Sequence, residues 1–196
     1  MTADPRPPVQ APARAPSVID WTRWSVIYLK PDCLERGLVG EVLARIARHV
    51  QVSAVRQVRV TRTQIYAHYT DLFPRQEEIG VDIAAELDRM HVGKLSVVAL
   101  GHGPSAAARL RDLIGPTDPA QAGPDTIRGH YGIDTLAHGQ AEHRLINNLI
   151  HTSDDPEAAR RDFFIWFGPG TASLDLLTDP RPYDPDHLPQ APEEPR

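Results

Sequence analysis

Cysteine is almost missing from this chain of 196 residues. The single residue, Cys33, excludes an internal disulfide and makes a reducing compartment the natural setting. No excess of basic charge exists either. Lys and Arg number 21 against 26 Asp and Glu, interleaved along the chain, so the formal net charge of −5 gives no reason to expect a nucleic-acid surface. Long apolar runs are lacking. No stretch is long enough to span a bilayer, and the opening MTADPRPPVQAPARAPSVID has no apolar core of the kind a signal peptide needs. These features predict a soluble, cytoplasmic protein with neither membrane nor nucleic acid as partner. A glycine-rich phosphate loop is missing too. Gly93-Lys94 is followed by Leu95, with no hydroxyl residue and no glycine at the required earlier spacing, and GHGPS (101–105) offers only a G-x-G. His130, His138 and His143 fall close together, but they lack the HExxH spacing and cysteine partners, so no protein-held metal is expected.

What is present suffices for one domain. Apolar residues make up 41% of the chain, enough for an ordinary core. Residues 1–20 are rich in Pro and Ala, and the C-terminal stretch is rich in Pro and acid. Such segments bury too little apolar surface to offset their ordering entropy, so 1–20 and 171–196 read as flexible tails around a folded domain at 21–170. RWSVIYL (23–29) and KLSVVAL (94–100) read as buried strands, and QVSAVRQVRV (51–60) as a half-buried one. Helical spacing recurs over 38–49, from a Thr63 cap to Tyr69, over 79–90, over 105–111 and over 156–167. Residues 113–128 carry too many Gly, Pro and Asp to be regular and read as a long loop. Strands alternating with helices suggest one sheet with helices packed on it, and the polar side of 51–60 favours an α+β layer over a sheet covered equally on both faces.

Phosphate chemistry, in the absence of a phosphate loop, falls to side chains. Arg111, Thr117 and Arg128 flank or lie within the long loop; guanidinium forks match phosphate oxygens in pairs, and a hydroxyl adds a neutral donor. On spacing alone, solvated surface arginines are the plainer reading. In NNLIHTSDDPEAARRDFFIWF (147–167), His151 stands between an extended piece and a capped helix. A neutral imidazole is a good nucleophile when one nitrogen is pinned and the other presented. On its own, His151 reads equally as an ordinary structural histidine.

Four blocks together carry more: YLKPDCLERGLVGEVLARI, AHYTDL, RDLIGPTDPAQAGPDTIRG and NLIHTSDDPEAARRDFFIWF. Their order and motifs (KPD, TIRG, N-x-x-H-x-SD) resemble those of nucleoside diphosphate kinases over about 24–167. The resemblance implies a ferredoxin-like antiparallel sheet with helices packed on it. It also implies ping-pong transfer of the γ-phosphoryl group from a nucleoside triphosphate to a nucleoside diphosphate through a phosphohistidine, with Mg²⁺ carried by the nucleotide. By the same resemblance His151 is the nucleophile, Lys30 contacts the transferring group and the ribose, and Tyr69 packs beside that lysine. Arg111, Thr117 and Arg128 form the phosphate clamp, and Asn148 holds the ribose 3′-hydroxyl. Asp162 falls where the family has a glutamate that orients the histidine. A homo-oligomer is implied as well.

Several positions depart from the family pattern. Thr152 replaces the glycine next to the histidine, and Glu77 falls where a phenylalanine stacks on the base, leaving Phe73 and Ile79 as apolar neighbours. The chain is longer than usual at about 73–80 and 130–146. These departures keep two other readings open: a phosphohistidine enzyme serving a different small acceptor, and a non-catalytic nucleotide-binding relative.

Overall fold

The computed structural model describes residues 18–184. Of the two expected tails, residues 1–17 and 185–196 lie outside the described residues. Four strands, β1 (Trp24–Leu29), β2 (Gln51–Arg59), β3 (Leu95–His102) and β4 (Ile150–Thr152), form one sheet in the order β2-β3-β1-β4. Every pairing is antiparallel, with Trp24 opposite His102 and Tyr28 opposite both Val98 and His151. This is the ferredoxin-like arrangement.

Between and after the strands come α1 (Pro31–Glu35), α2 (Val39–Ile46), α3 (Arg62–His68), α4 (Gln76–Ile79), α5 (Ile83–His91), α6 (Ala106–Ile114), α7 (Ile127–Tyr131), α8 (Leu136–Ala141), α9 (Pro156–Phe167) and α10 (Thr171–Thr178). Side chains alternate across a strand, and β1 uses both sides. Ile27 and Leu29 pack with α2, α6 and α7, whereas Val26 and Tyr28 pack with α3, α5 and α9. The sheet is therefore covered on both faces, contrary to the expectation drawn from 51–60. That segment, β2, is an edge strand and half-buried, so its polarity does not report on the central strands.

Other boundaries move for local reasons. Thr61, not Thr63, caps α3, in a reciprocal pair with Gln64. The single helix expected over 79–90 is broken: Gly80 adopts φ +77 to end α4, and the Asp82 carboxylate accepts the Ala85 N–H to begin α5. Helix α6 runs on to Ile114. The domain also extends past 170 into part of the expected tail. Thr171–Thr178 is helical and buries Leu177, and Tyr183 N–H donates to Val52 O along the β2 edge at 2.8 Å. An apolar face within 171–178 was outweighed in the sequence by the Pro-rich composition that follows it.

Candidate active site

β1 ends at Leu29 and turns into α1 through Lys30-Pro31-Asp32, with Pro31 in the first helical turn. Three groups of this turn grip the strand that bears His151. Lys30 N–H donates to Leu149 O at 2.9 Å, Lys30 Nζ donates to Asn148 Oδ1 at 2.6 Å, and Asp32 Oδ2 accepts the Leu149 N–H at 3.0 Å. Leu149 has φ +69, a left-handed conformation that costs an L-residue roughly 1–2 kcal/mol. The bonds from Lys30 and Asp32 hold it there. Asn148 is fixed from its other end, where Nδ2 donates to the Thr117 carbonyl at 2.8 Å.

Arg128 is 3% exposed and braces the same strand. Its guanidinium donates to Gly115 O at 2.9 Å, Ile150 O at 2.7 Å and Asn148 O at 3.4 Å. Much of its hydrogen-bonding capacity thus serves main-chain carbonyls, which expectation had not assigned to it. Gly129, which closes the TIRG motif, lets this loop pack against itself, since a Cβ there would collide with the Gly123 carbonyl.

These elements wall a cleft of about 1040 Å³. Lys30, Tyr69, Arg111, Thr117, Arg128, Asn148 and His151 all line it, so seven of the side chains singled out in the sequence meet in one place. Lys30 Nζ stands 5.5 Å from the Tyr69 ring centre. Arg111 Nε pairs with Asp154 at 3.0 Å, both being partly exposed. The two longer segments contribute Ile79, Leu136, Leu145 and Ile146 to the apolar lining, beside Leu72, Leu87, Met90, Ala158 and Phe164. Phe73 is not among them; it packs edge-on against Tyr66 at 5.2 Å. Thr152 is buried on the opposite side of β4 and does not crowd the histidine.

The charge state of the cleft follows from its burial. Burial is the main force that lowers the Lys30 amine to about 8; the Asp32 carboxylate opposes it, and Arg128 adds to it. Burial likewise holds His151 well below the ordinary histidine range, and His68, Lys30, Arg128 and Arg111 push the same way. The imidazole is therefore neutral at physiological pH. Its Nε2 is sealed from solvent without a partner, which leaves Nδ1 as the nitrogen for the cleft.

Asp162 does not reach His151, contrary to expectation. Its Oδ2 accepts from the Ser153 hydroxyl at 2.8 Å, and its Oδ1 accepts from Arg161 at 3.0 Å. Oδ1 also lies 3.4 Å from His68 Nδ1. The aspartate side chain is one methylene short of a glutamate, and these partners hold it back. His68, whose ring meets that of His151 edge to face at 4.5 Å, occupies the space between. Ligating atoms of His68, His151 and Asp162 all fall within 4.8 Å of one another. Donors around a tetrahedral zinc sit about 3.3 Å apart, and both Asp162 oxygens are already engaged, so hydrogen bonds hold the cluster together. Asp32, His68 and Asp154 were missed as site residues. Asp32 and His68 lie inside the KPD and HYTDL blocks, and Asp154 inside SD, which was their available signal.

Known proteins resemble this chain in sequence and in fold. The family model described as nucleoside diphosphate kinase matches residues 24–171. A nucleoside diphosphate kinase of Pyrobaculum aerophilum is 32% identical over 171 residues, covering 73% of this chain and 93% of its own. That of Nocardia farcinica is 35% identical over 148 residues, with 74% and 95% covered. Among solved structures, the Borrelia burgdorferi nucleoside-diphosphate kinase with bound vanadate and ADP aligns with a TM-score of 0.68 at 27% identity, over 74% of this chain and 86% of that one. The Pyrobaculum aerophilum kinase aligns with a TM-score of 0.64 at 29% identity, over 74% and 95%. A family model that matches most of the chain, together with kinases at 32% and 35% identity and solved kinases of the same fold, settles the membership: this chain belongs to the nucleoside diphosphate kinase family.

Proposed function

We propose that this chain transfers the γ-phosphoryl group of a nucleoside triphosphate to a nucleoside diphosphate in two half-reactions through His151. Supporting this reading most directly is a neutral imidazole whose Nε2 edge is sealed, facing a cleft lined by Lys30, Arg111 and Arg128. In the first half-reaction the Nδ1 lone pair attacks the γ-phosphorus. The bond to the bridging oxygen breaks, and its electron pair leaves on the β-phosphate of the departing diphosphate. In the second, a β-phosphate oxygen of the incoming diphosphate attacks the same phosphorus and the P–N bond pair returns to Nδ1. Positive charge fixed in advance around a transferring phosphoryl group lowers the barrier without reorganisation.

Lys30 and Arg111 supply that charge by direct contact in this reading. Arg128 adds its field while holding the strand, and Thr117 offers its hydroxyl. Asn148 retains one amide hydrogen for a ribose hydroxyl after its bonds to Lys30 and Thr117. Tyr69 packs against the Lys30 side chain. Mg²⁺ enters as part of the substrate. It is a hard ion held by one or two carboxylates and phosphate oxygens, and Asp154, on the cleft wall beside Arg111, is a carboxylate of that type. A cytoplasmic setting and a homo-oligomeric assembly belong to the same reading. Among the described residues no helix is long and apolar enough to cross a membrane.

Incubation with labelled ATP and Mg²⁺ tests the reading. It predicts an acid-labile, alkali-stable protein phosphate that His151→Ala abolishes and that nucleoside diphosphates remove. A label that none of a panel of diphosphates discharges would redirect the second half-reaction to another small acceptor. That second reading draws support from the aliphatic lining that the two longer segments bring to the cleft. No label at all would leave only nucleotide binding.

A further inference from the structure

Two buried nitrogens in this site have no partner among the described residues, and they sit on adjoining rings. His68 is 1% exposed, and its Nε2 is sealed and unpartnered, as is Nε2 of His151. The ring centres are 4.5 Å apart at 81°. Buried polar atoms without partners are rare and costly. With the ring centres this close, turning one Nε2 towards the other would satisfy both, one as donor and one as acceptor. On its far side, His68 Nδ1 lies between the Asp162 carboxylate at 3.4 Å and the Trp166 indole N–H at 3.2 Å.

We propose that His68 is the positioning residue of this site: it stands between Asp162 and His151, takes its orientation from the carboxylate and passes it to the nucleophile through the two Nε2 atoms. The inference rests on the reading of His151 as the phosphoryl carrier. Two tautomers of His68 are geometrically open, and only one is productive. If the indole donates to Nδ1, His68 carries its hydrogen on Nε2 and forces His151 to hold a hydrogen on Nδ1, where no lone pair is then left for attack. If Nδ1–H donates to Asp162, His68 Nε2 accepts from His151 Nε2–H, and the Nδ1 lone pair of His151 faces the cleft. A hydrogen bond to a carboxylate is about twice as strong as one between neutral groups, so we infer that the second arrangement prevails although it takes from the Trp166 indole N–H the acceptor it has at His68 Nδ1. The Ser153 hydroxyl and the Arg161 guanidinium hold the carboxylate that selects it. No proton moves during transfer, because His151 keeps its Nε2 hydrogen in both half-reactions.

The ¹⁵N spectrum of the unmodified protein gives the first test. His68 should be protonated on Nδ1 and bare on Nε2, and His151 the reverse; a hydrogen on His68 Nε2 would overturn the inference without touching the role of His151. Variants give the second. His68→Asn keeps a polar atom beside Asp162 but loses the reach to His151, and should slow phosphorylation of His151 by roughly 10–100-fold, the usual effect of removing a group that orients a reactive side chain. His68→Gln restores a polar atom at the reach of Nε2 and should recover part of the rate. In Asp162→Glu the carboxylate gains about 1.5 Å, enough to approach His151 itself, so His68→Asn should cost less in that background than in the parent. Equal rates for His68→Asn and the parent protein, or an undiminished penalty in the Asp162→Glu background, would exclude the positioning role. Failure of the parent protein to label at His151 would instead remove the reading beneath it.

Discussion

Lys30 shows how one residue is set by opposed forces. It is 8% exposed, and its amine is lowered to about 8 chiefly by burial, against the pull of Asp32. The unfolded chain holds that proton to about 10.4. Between these values the unfolded state binds more protons than the folded one, so the contribution of Lys30 to stability rises as pH climbs from about 8 to 10. Activity should move the opposite way. As the amine loses its charge above pH 8, the cleft loses a cation needed to meet the phosphoryl group, and kcat/KM should fall while thermal stability gains this increment. A pH profile of kcat/KM from 6 to 10, run beside melting curves at the same values, checks the divergence. His151 adds no descending limb near pH 6.5, because burial keeps it neutral well below that value. The residues that meet in the cleft were legible in the sequence because each sits in one of the four blocks that resemble the family. Asp162 was legible as a position but not as a contact: whether a carboxylate reaches an imidazole depends on one methylene and on which neighbours bind it first, and neither is written in spacing.

At the scale of elements, β4 is three residues long and could not fix the His151 ring unaided. It is gripped by the Lys30–Asp32 turn on one side and by Arg128, from α7, on the other. Arg128→Ala should therefore lose stability along with turnover. It strands the buried carbonyls of Gly115 and Ile150, each worth about 1–3 kcal/mol when left unpaired. Arg128→Lys should recover little, since one ammonium cannot reach carbonyls that a planar fork spans. Denaturant unfolding and phosphorylation rates measured on both variants decide the matter; an unchanged unfolding free energy would return Arg128 to a purely phosphate-binding role. Such bracing leaves no trace in periodicity. Strands β1 and β3 were legible because continuous apolar runs mark central strands, whereas the break between α4 and α5 turns on a single left-handed Gly80 and a single carboxylate at Asp82.

Over the molecule as a whole, the fold reaches further along the chain than composition suggests. α10 buries Leu177, and the segment after it lies along β2 through Tyr183 N–H to Val52 O and Gln51 to Pro180 O. Burying one leucine is worth about 2 kcal/mol, so ending the chain at residue 170 should lower the melting temperature by about 4–8 °C, as calorimetry of the truncated protein would register. The second long segment is anchored as firmly. Arg144 pairs in bidentate fashion with Asp134, whose carboxylate also accepts the Asn147 N–H, and Glu86 of α5 accepts the Leu145 N–H. The segment is thus a fixed wall of the cleft. Its residues were visible in the sequence as extra length, but where they fold back depends on the distant Glu86.

The pairing of Arg111 with Asp154 carries a consequence for selectivity. An empty cleft whose outer cation is already neutralised presents only a weak lure to stray chloride or orthophosphate. A polyphosphate tail, reaching Arg111 and Lys30 at once and able to bring its own divalent ion to console the displaced carboxylate, is the visitor equipped to break that engagement.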